Sequence, residues 1–326
     1  MQFIIFSDIQ FYKNPQKSYT REDGMNSWLY EQVAIVKQVF AYAEENGVYD
    51  IIYGGDLFEE KNRIDVFVYN IVWDLFREYS GRFRFIFNTG NHDMHNIDRD
   101  SSLRPFSAVA TVVTEPSLHQ IGNGMLKIIP YGMTGDNLSL PKEPFSKNNI
   151  LVTHEDIAGL KLGPLDYKSG SPLKKEIFGD WTYVLNGHIH KPQTVGNIIN
   201  VGSCMQQDFS EIDEEKRFVH YKDGDIISIP LDHPKFFSFD GLNDKLKKMI
   251  EIDDRNFYRI DIDSKLLSDS IFKKFNVFPN LVKSEKREIR LKEKLTDEEE
   301  LEEYIKLFNK ELDKEKLLKV GKELQR

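Results

Sequence analysis

Residues 48–56 read VYDIIYGGD, a β-rich run that stops in a glycine turn with Asp56 just past the strand end. The same pattern recurs on both sides of it. FIIFS (3–7) leads to Asp8, RFRFIFNTGNHD (82–93) runs into Asn91, His92 and Asp93, NNILVTH (148–154) ends on His154, and WTYVLNGHIH (181–190) ends on His188 and His190. MLKIIPYG (125–132) reads as a further strand, followed by the shorter runs TVGNIINVG, RFVHY and IISIPL. Residues 27–46 carry apolar side chains at helical spacing and stop at Gly47, and 62–79 predict a second helix. Strands alternating with helices argue for α/β layers, and the later strands for a second sheet packed on the first. The expected fold class is therefore α/β, a two-sheet sandwich flanked by helices. Polar residues gather at its strand ends, where such folds build their sites.

Composition changes after about residue 232, so the sandwich is expected over 1–232. Residues 233–285 contain a β run (FYRIDID), a helical patch (KLLSDSIFKKF) and a second strand (PNLVKSE), which predicts a small α+β cap domain. From 286 to 326 nearly everything is charged or helix-forming. Thr296 to Glu299 form a capping-box pattern, and Leu301, Tyr304, Ile305, Phe308 and Leu312 make one apolar stripe, so a helical tail is expected.

The 326 residues are 40% hydrophobic and 12% aromatic, enough for a packed core. A single cysteine, Cys204, excludes a disulfide framework and a cysteine-based zinc site, and fits a reducing compartment. The N-terminus MQFIIFSDIQ lacks the basic start of a signal peptide, and no apolar run approaches the ~18 residues that cross a bilayer. A soluble, cytoplasmic protein with no membrane partner is expected. The net charge of −9 argues against a generic polyanion binder held by positive charge.

The strand-end residues Asp8, Asp56, Asn91, His154, His188 and His190 combine carboxylate, amide and imidazole, a donor set that suits Mn(II), Fe(II) or Zn(II). Each alone has an ordinary reading. A Gly-Asp after a strand is usually a turn, and two histidines in GHIH can lie on opposite faces of a strand. His95, His119, His220 and His233 lack such a setting and read as surface or loop residues. Taken jointly, five strand ends closing in potential ligands are hard to obtain by chance.

The series SDIQ, GGDLF, TGNHD, VTHED and NGHIH resembles the five motifs of the calcineurin-like metallophosphoesterases. Within that family, GDLF with GNHD and a late GHIHKP is most similar to the SbcD-type nuclease subunit of DNA repair complexes, in its bacteriophage versions. The motif resemblance covers roughly residues 1–205. It implies a metallophosphoesterase fold and two divalent metal ions, with Mn(II) the expected pair. Asp8, Gln10, Asp56 and His190 would hold the first ion; Asp56, Asn91, His154 and His188 the second. His92 would stabilise or protonate the leaving oxygen, and Asp93 would orient His92. Two positions depart from the pattern. Gln10 stands where the family has histidine, and a neutral amide oxygen is the poorer ligand, which predicts a weakened first site. Glu59 stands where SbcD-type proteins place a second histidine.

The resemblance further implies a metal-dependent exonuclease and endonuclease acting on DNA, a homodimer, and docking of the C-terminal helices to an SbcC-like coiled-coil ATPase. Lys13, Lys17, Arg63 and Arg99 lie in loops that leave strand ends and are the candidate DNA contacts. The competing readings are a phosphoesterase of the same fold acting on a small or protein phosphoester, and a non-catalytic scaffold that has kept the fold.

Overall fold

A computed structural model of the chain describes residues 1–95, 100–140, 148–163 and 169–282. Strand β1 (Gln2–Phe6) is followed by helix α1 (Ser27–Glu45), strand β2 (Asp50–Tyr53), helix α2 (Val66–Tyr79) and strand β3 (Arg84–Asn88). β1, β2 and β3 are parallel neighbours, and Ala110–Val113 continues the parallel order. On the other side of β1 lies the antiparallel strand Arg217–Lys222, then Asp225–Pro230, which completes a six-stranded sheet. A second six-stranded sheet runs Gln193–Val195, Ile198–Asn200, Tyr183–Asn186, Ile150–Thr153, Gly124–Ile129 and Ser117–Ile121.

Side-chain alternation in β1 explains the layering. Phe3 and Ile5 face the second sheet and pack with Ile128, Val152 and Leu185, whereas Ile4 and Phe6 face the helices and pack with Val36, Val39 and Phe40 of α1. Both faces of the first sheet are thus buried, which is why its parallel strands are continuously apolar. The far face of the second sheet is covered by Ile157, Leu160, Phe178 and Trp181, with no long helix among the described residues. The architecture is the expected sandwich, two mixed sheets with few helices.

Helix α1 starts where Asn26 accepts the Leu29 N–H at 3.1 Å. α2 begins later than its pattern predicts. Asp65 caps it by accepting from Phe67 and Val68, and residues 62–65 stay outside the helix.

Beyond residue 232, strands Phe236–Asp240, Phe257–Ile262 and Val277–Leu281 form a parallel three-stranded sheet. Helix Asp244–Ile252 crosses between the first two and buries Leu246 and Ile250. The KLLSDSIFKKF patch is not an α-helix but two short 3₁₀ turns, Ser264–Leu266 and Ser270–Lys273, each opened by an aspartate side chain. This layer has its own core around Tyr258 and Ile260, yet Phe236 and Phe257 pack on Trp28 of α1. Met1–Leu281 accordingly form one compact unit. The tail expected over 286–326 lies outside the described residues. Among those described, no helix is long and apolar enough to cross a membrane.

Candidate metal centre

Parallel pairing aligns the carboxyl ends of β1, β2 and β3, and of Ile150–Thr153 and Tyr183–Asn186, so the residues just past those ends converge. The His154 Nε2 lies 3.3 Å from Asp56 Oδ2, 3.9 Å from Asp8 Oδ1 and 3.2 Å from Asn91 Oδ1. The His188 Nδ1 is 2.8 Å from the same Asn91 oxygen. Donor atoms of Asp56, His154 and His188 lie within 4.8 Å of one another. Asp8 sits across from His188, whose main-chain N–H reaches its carboxylate at 3.1 and 3.2 Å.

The convergence is held by unusual backbone. Among the described residues, Asp8, Gln10, Asp56 and His188 all have positive φ, at 54°, 50°, 61° and 77°. Such strain persists where the surroundings over-determine it, and it concentrates at functional sites. Here the surroundings are identifiable. The fully buried Tyr53 hydroxyl donates to Asp56 O at 2.7 Å and accepts from Ile9 N at 3.1 Å, tying the turns after β1 and β2 together. A Cβ at Gly55 would overlap the His154 ring and one at Gly90 the Asp56 carboxylate, so those two positions need glycine.

The electrostatics call for positive charge. Burial opposes an imidazolium at His154, but Asp56 and Asp8 outweigh it and hold the pKa up to about 10. Burial likewise opposes charge on Asp56, yet His154 and then His92 pull its pKa well below the ordinary carboxylate range. Burial, followed by the charge of His154, pushes the His188 pKa down, leaving it a neutral donor. A divalent cation among these groups would supply in a proton's place what the carboxylates demand. The His154 Nδ1 donates to Gly54 O at 3.0 Å, which frees Nε2 for such an ion. The donors present therefore fit a divalent metal.

The structure places the other candidates as follows. Gln10 is buried, its main-chain carbonyl accepting from Gln32 Nε2 at 2.8 Å. The His92 ring points its Nδ1 at the main-chain oxygen of Glu59, 2.6 Å away. A carbonyl only accepts, so Nδ1 carries the proton and Nε2 is left for substrate. Asp93 does not orient that ring as the motif pattern implies. Its carboxylate accepts from the N–H groups of Asp56, Leu57 and Gly90 at 2.7, 2.9 and 2.9 Å, and so clamps the second and third motif loops together. Burial and the nearby Asp56 charge raise its pKa despite these donors. Position 59 thus acts on His92 through its backbone, whatever its side chain.

Lys13 pairs with Asp65 at 2.9 Å and lies over the Phe67 ring. Lys17 donates to Gln207 O at 2.8 Å and sits 5.2 Å from the centre of the Phe236 ring. Arg63 is exposed, and Arg99 lies outside the described residues. Of the histidines read as surface or loop residues, His220 and His233 are buried, because His220 faces Tyr42 of α1 and His233 packs where the chain enters the third sheet. Sequence reasoning missed Glu211 and Lys216, which lie behind His190, and Tyr131, whose ring stands 5.6 Å from that of His188. The charged run EIDEEK offered no signal beyond a solvated turn.

The family model described as calcineurin-like phosphoesterase matches residues 1–192. The chain belongs to that family. Members of that family are described as phosphoesterases. A protein of Invertebrate iridescent virus 3, described as "Putative phosphoesterase 078R", is 24% identical over 226 residues. That match covers 66% of this chain and 61% of the viral protein, so it spans less than two thirds of the relative's length. Among solved structures, the E. coli phosphoesterase Yfce superposes with a TM-score of 0.35 at 13% identity, covering 71% of this chain and 100% of that one. A dimetal phosphatase from Danio rerio gives a TM-score of 0.42 at 8% identity, covering 71% and 96%.

Proposed function

We propose that this calcineurin-like phosphoesterase hydrolyses phosphodiester bonds in DNA, as exonuclease on duplex ends and endonuclease on single strands. Its metals in this reading are two divalent ions, Mn(II) in the cell, and its partner is an SbcC-like coiled-coil ATPase docked on residues 286–326. The observation that carries the chemistry is the convergence of Asp8, Asp56, Asn91, His154 and His188 at one edge of the sandwich. When bound, two such ions would supply Lewis acidity to the phosphoryl oxygens and favour ionisation of an attacking water. The chain's own residues do the rest. Asp56 Oδ2 lies 3.3 Å from His154 Nε2, His154 and His188 present ring nitrogens, and Asn91 an amide oxygen. His92, locked by Glu59 O with its Nε2 free, is placed to meet the leaving oxygen.

The DNA substrate is supported by the motif series, which is most similar to SbcD-type subunits, and by the third sheet. The layer that carries that sheet packs on the segment after Asp8, with Phe275 against Tyr19 at 4.8 Å, and is an addition that a small phosphoester would not need. The exposed Val66 and Phe67 at the start of α2 support a homodimer, whereas Val72 and Leu75 belong to the chain's own core. A second reading, hydrolysis of a small or protein phosphoester, is favoured by Lys13 and Lys17, whose ammonium groups are already engaged within the chain.

The test is an assay of linear duplex DNA, p-nitrophenyl phosphate and bis-p-nitrophenyl phosphate with Mn(II), with and without the ATPase, beside Asp56→Ala. DNA cleavage lost in Asp56→Ala is the expected result. Turnover confined to the monoester, with DNA intact even beside the ATPase, overturns the nuclease reading.

A further inference from the structure

We propose that Glu211 and Lys216 are positioning residues that aim His190 at a metal ion, an inference that rests on reading the sheet-end cluster as a metal centre. The His190 Nδ1 lies 3.0 Å from Glu211 Oε1. A carboxylate only accepts, so the proton sits on Nδ1 and the lone pair on Nε2 is the one offered to a cation. His190 can turn only if Glu211 turns, and Glu211 is pinned. Its second oxygen takes Lys216 Nζ at 2.9 Å and the Gln207 N–H at 3.0 Å.

Lys216 is fully buried and spends all three of its protons, on Glu211, on Glu214 Oε2 at 2.8 Å and on His190 O at 3.0 Å. The result is a closed ring. Lys216 holds the main chain of His190, and Glu211 holds its imidazole, so the two rotations that could misdirect Nε2 are both blocked.

The imidazoles of His188 and His154 have neutral partners at Nδ1, the Asn91 amide oxygen at 2.8 Å and a main-chain carbonyl. His154 leans on Gly54 O, a main-chain carbonyl supplied by the turn after β2. His190 has a charged carboxylate behind it instead, which makes its Nε2 the stronger donor. The distinction falls on the half of the cluster that holds Gln10, where a neutral amide oxygen replaces an imidazole. A carboxylate-backed His190 offsets that weaker ligand.

Calorimetric titration with Mn(II) of wild type, Glu211→Leu, Glu211→Gln and His190→Ala tests the assignment, together with proton NMR of the Zn(II)-loaded chain. Glu211→Leu is expected to weaken one of two binding steps by about 10- to 100-fold and to leave the other unchanged. Glu211→Gln, which keeps an acceptor, should recover most of the loss, and Glu211→Leu should cost nothing further on top of His190→Ala. The spectrum should show a downfield Nδ1 proton of His190 that vanishes in Glu211→Leu. Equal weakening of both steps, a glutamine variant no better than leucine, or losses that add to His190→Ala overturn the proposal. If Glu211→Leu does not fold, the wild-type spectrum still decides, because ligation through Nδ1 overturns it and a hydrogen-bonded Nδ1 proton supports it. No readout involves a substrate, so failure here leaves the DNA reading standing. Intact two-step binding without DNA cleavage would overturn that reading alone.

Discussion

The two halves of the proposed metal cluster are built by different means. Asp56, Asn91, His154 and His188 hold one another through direct contacts, and their backbones are fixed by the strand-end turns themselves. The half around Asp8, Gln10 and His190 has an amide where its family has imidazole, and draws its support from Glu211 and Lys216, more than 200 residues along the chain from Asp8. A ligand shell made by adjacent turns is rigid by construction. One completed from a distant loop can be tuned without disturbing the sheets. The two halves should therefore differ in affinity and in tolerance to substitution.

Asp56 is the carboxylate that the two-ion reading shares between the halves, and its removal should produce the largest effect. Asp56→Ala is expected to lower phosphoester turnover by roughly 10³-fold or more, as loss of a principal electrostatic group does. Circular dichroism checks that the fold survives; a variant retaining a tenth of wild-type turnover would break the idea of a shared carboxylate. Next comes His92, whose main-chain N–H donates to Asp56 Oδ1 at 2.7 Å while its ring is turned to Glu59 O. His92→Ala should cost about 10²- to 10⁴-fold in turnover, the usual range for a general acid, with both calorimetric metal affinities unchanged. Glu59→Gln should cost less than about threefold, because the main-chain oxygen and not the side chain holds the ring. A large loss in Glu59→Gln would mean that the side chain acts directly.

Gln10→His sharpens the comparison most directly. An imidazole there should tighten the weaker metal step by about tenfold, bringing the two halves closer together. Two equal affinities in wild type, unaltered in Gln10→His, would remove the asymmetry altogether. A smaller effect separates the site from the rest of the sandwich. Burial, then the charge of Lys222, holds the His220 pKa below its ordinary value of 6.5. The unfolded chain consequently takes up a proton at His220 before the folded one does. The stability contributed by neutral His220 is complete above about pH 6.5 and declines as the pH falls below it. Thermal melts from pH 8 to pH 5 should show the advantage of wild type over His220→Gln shrinking with acid; a constant gap would refute the assignment. The smallest effect is expected at Arg63. Arg63→Gln should reduce the slope of log affinity for duplex DNA against log salt by about 0.9, one phosphate contact, and an unchanged slope would remove Arg63 from the interface.

The better-wired half was legible in the sequence because parallel strands are short, apolar and end abruptly, so a ligand one to three residues past the strand announces itself. Asp56, His154 and His188 are all of this kind. The support behind His190 was not legible, since Glu211 and Lys216 lie in a charged loop whose partners are set by tertiary contact and not by periodicity. The role of Asp93 was misjudged for a related reason, because proximity in GNHD suggested a partner for His92, whereas the carboxylate turns inward to main-chain donors. The sandwich followed from strand alternation, but the lysine-rich helix Asp244–Ile252 did not, with only Leu246 and Ile250 fully buried on nine residues. His220 was misread as exposed because a single polar residue in RFVHY does not reveal that α1 lies over it.

Asp8, Asp56 and Asn91 leave the first sheet, while His154, His188 and His190 leave the second, so a cation bound among them works as a clasp across the seam of the sandwich. Ligation and the docking of the two layers would then be a single linked equilibrium, with free metal raising the melting temperature. A cell that starves this protein of metal would loosen its architecture at the same stroke as it silences its chemistry.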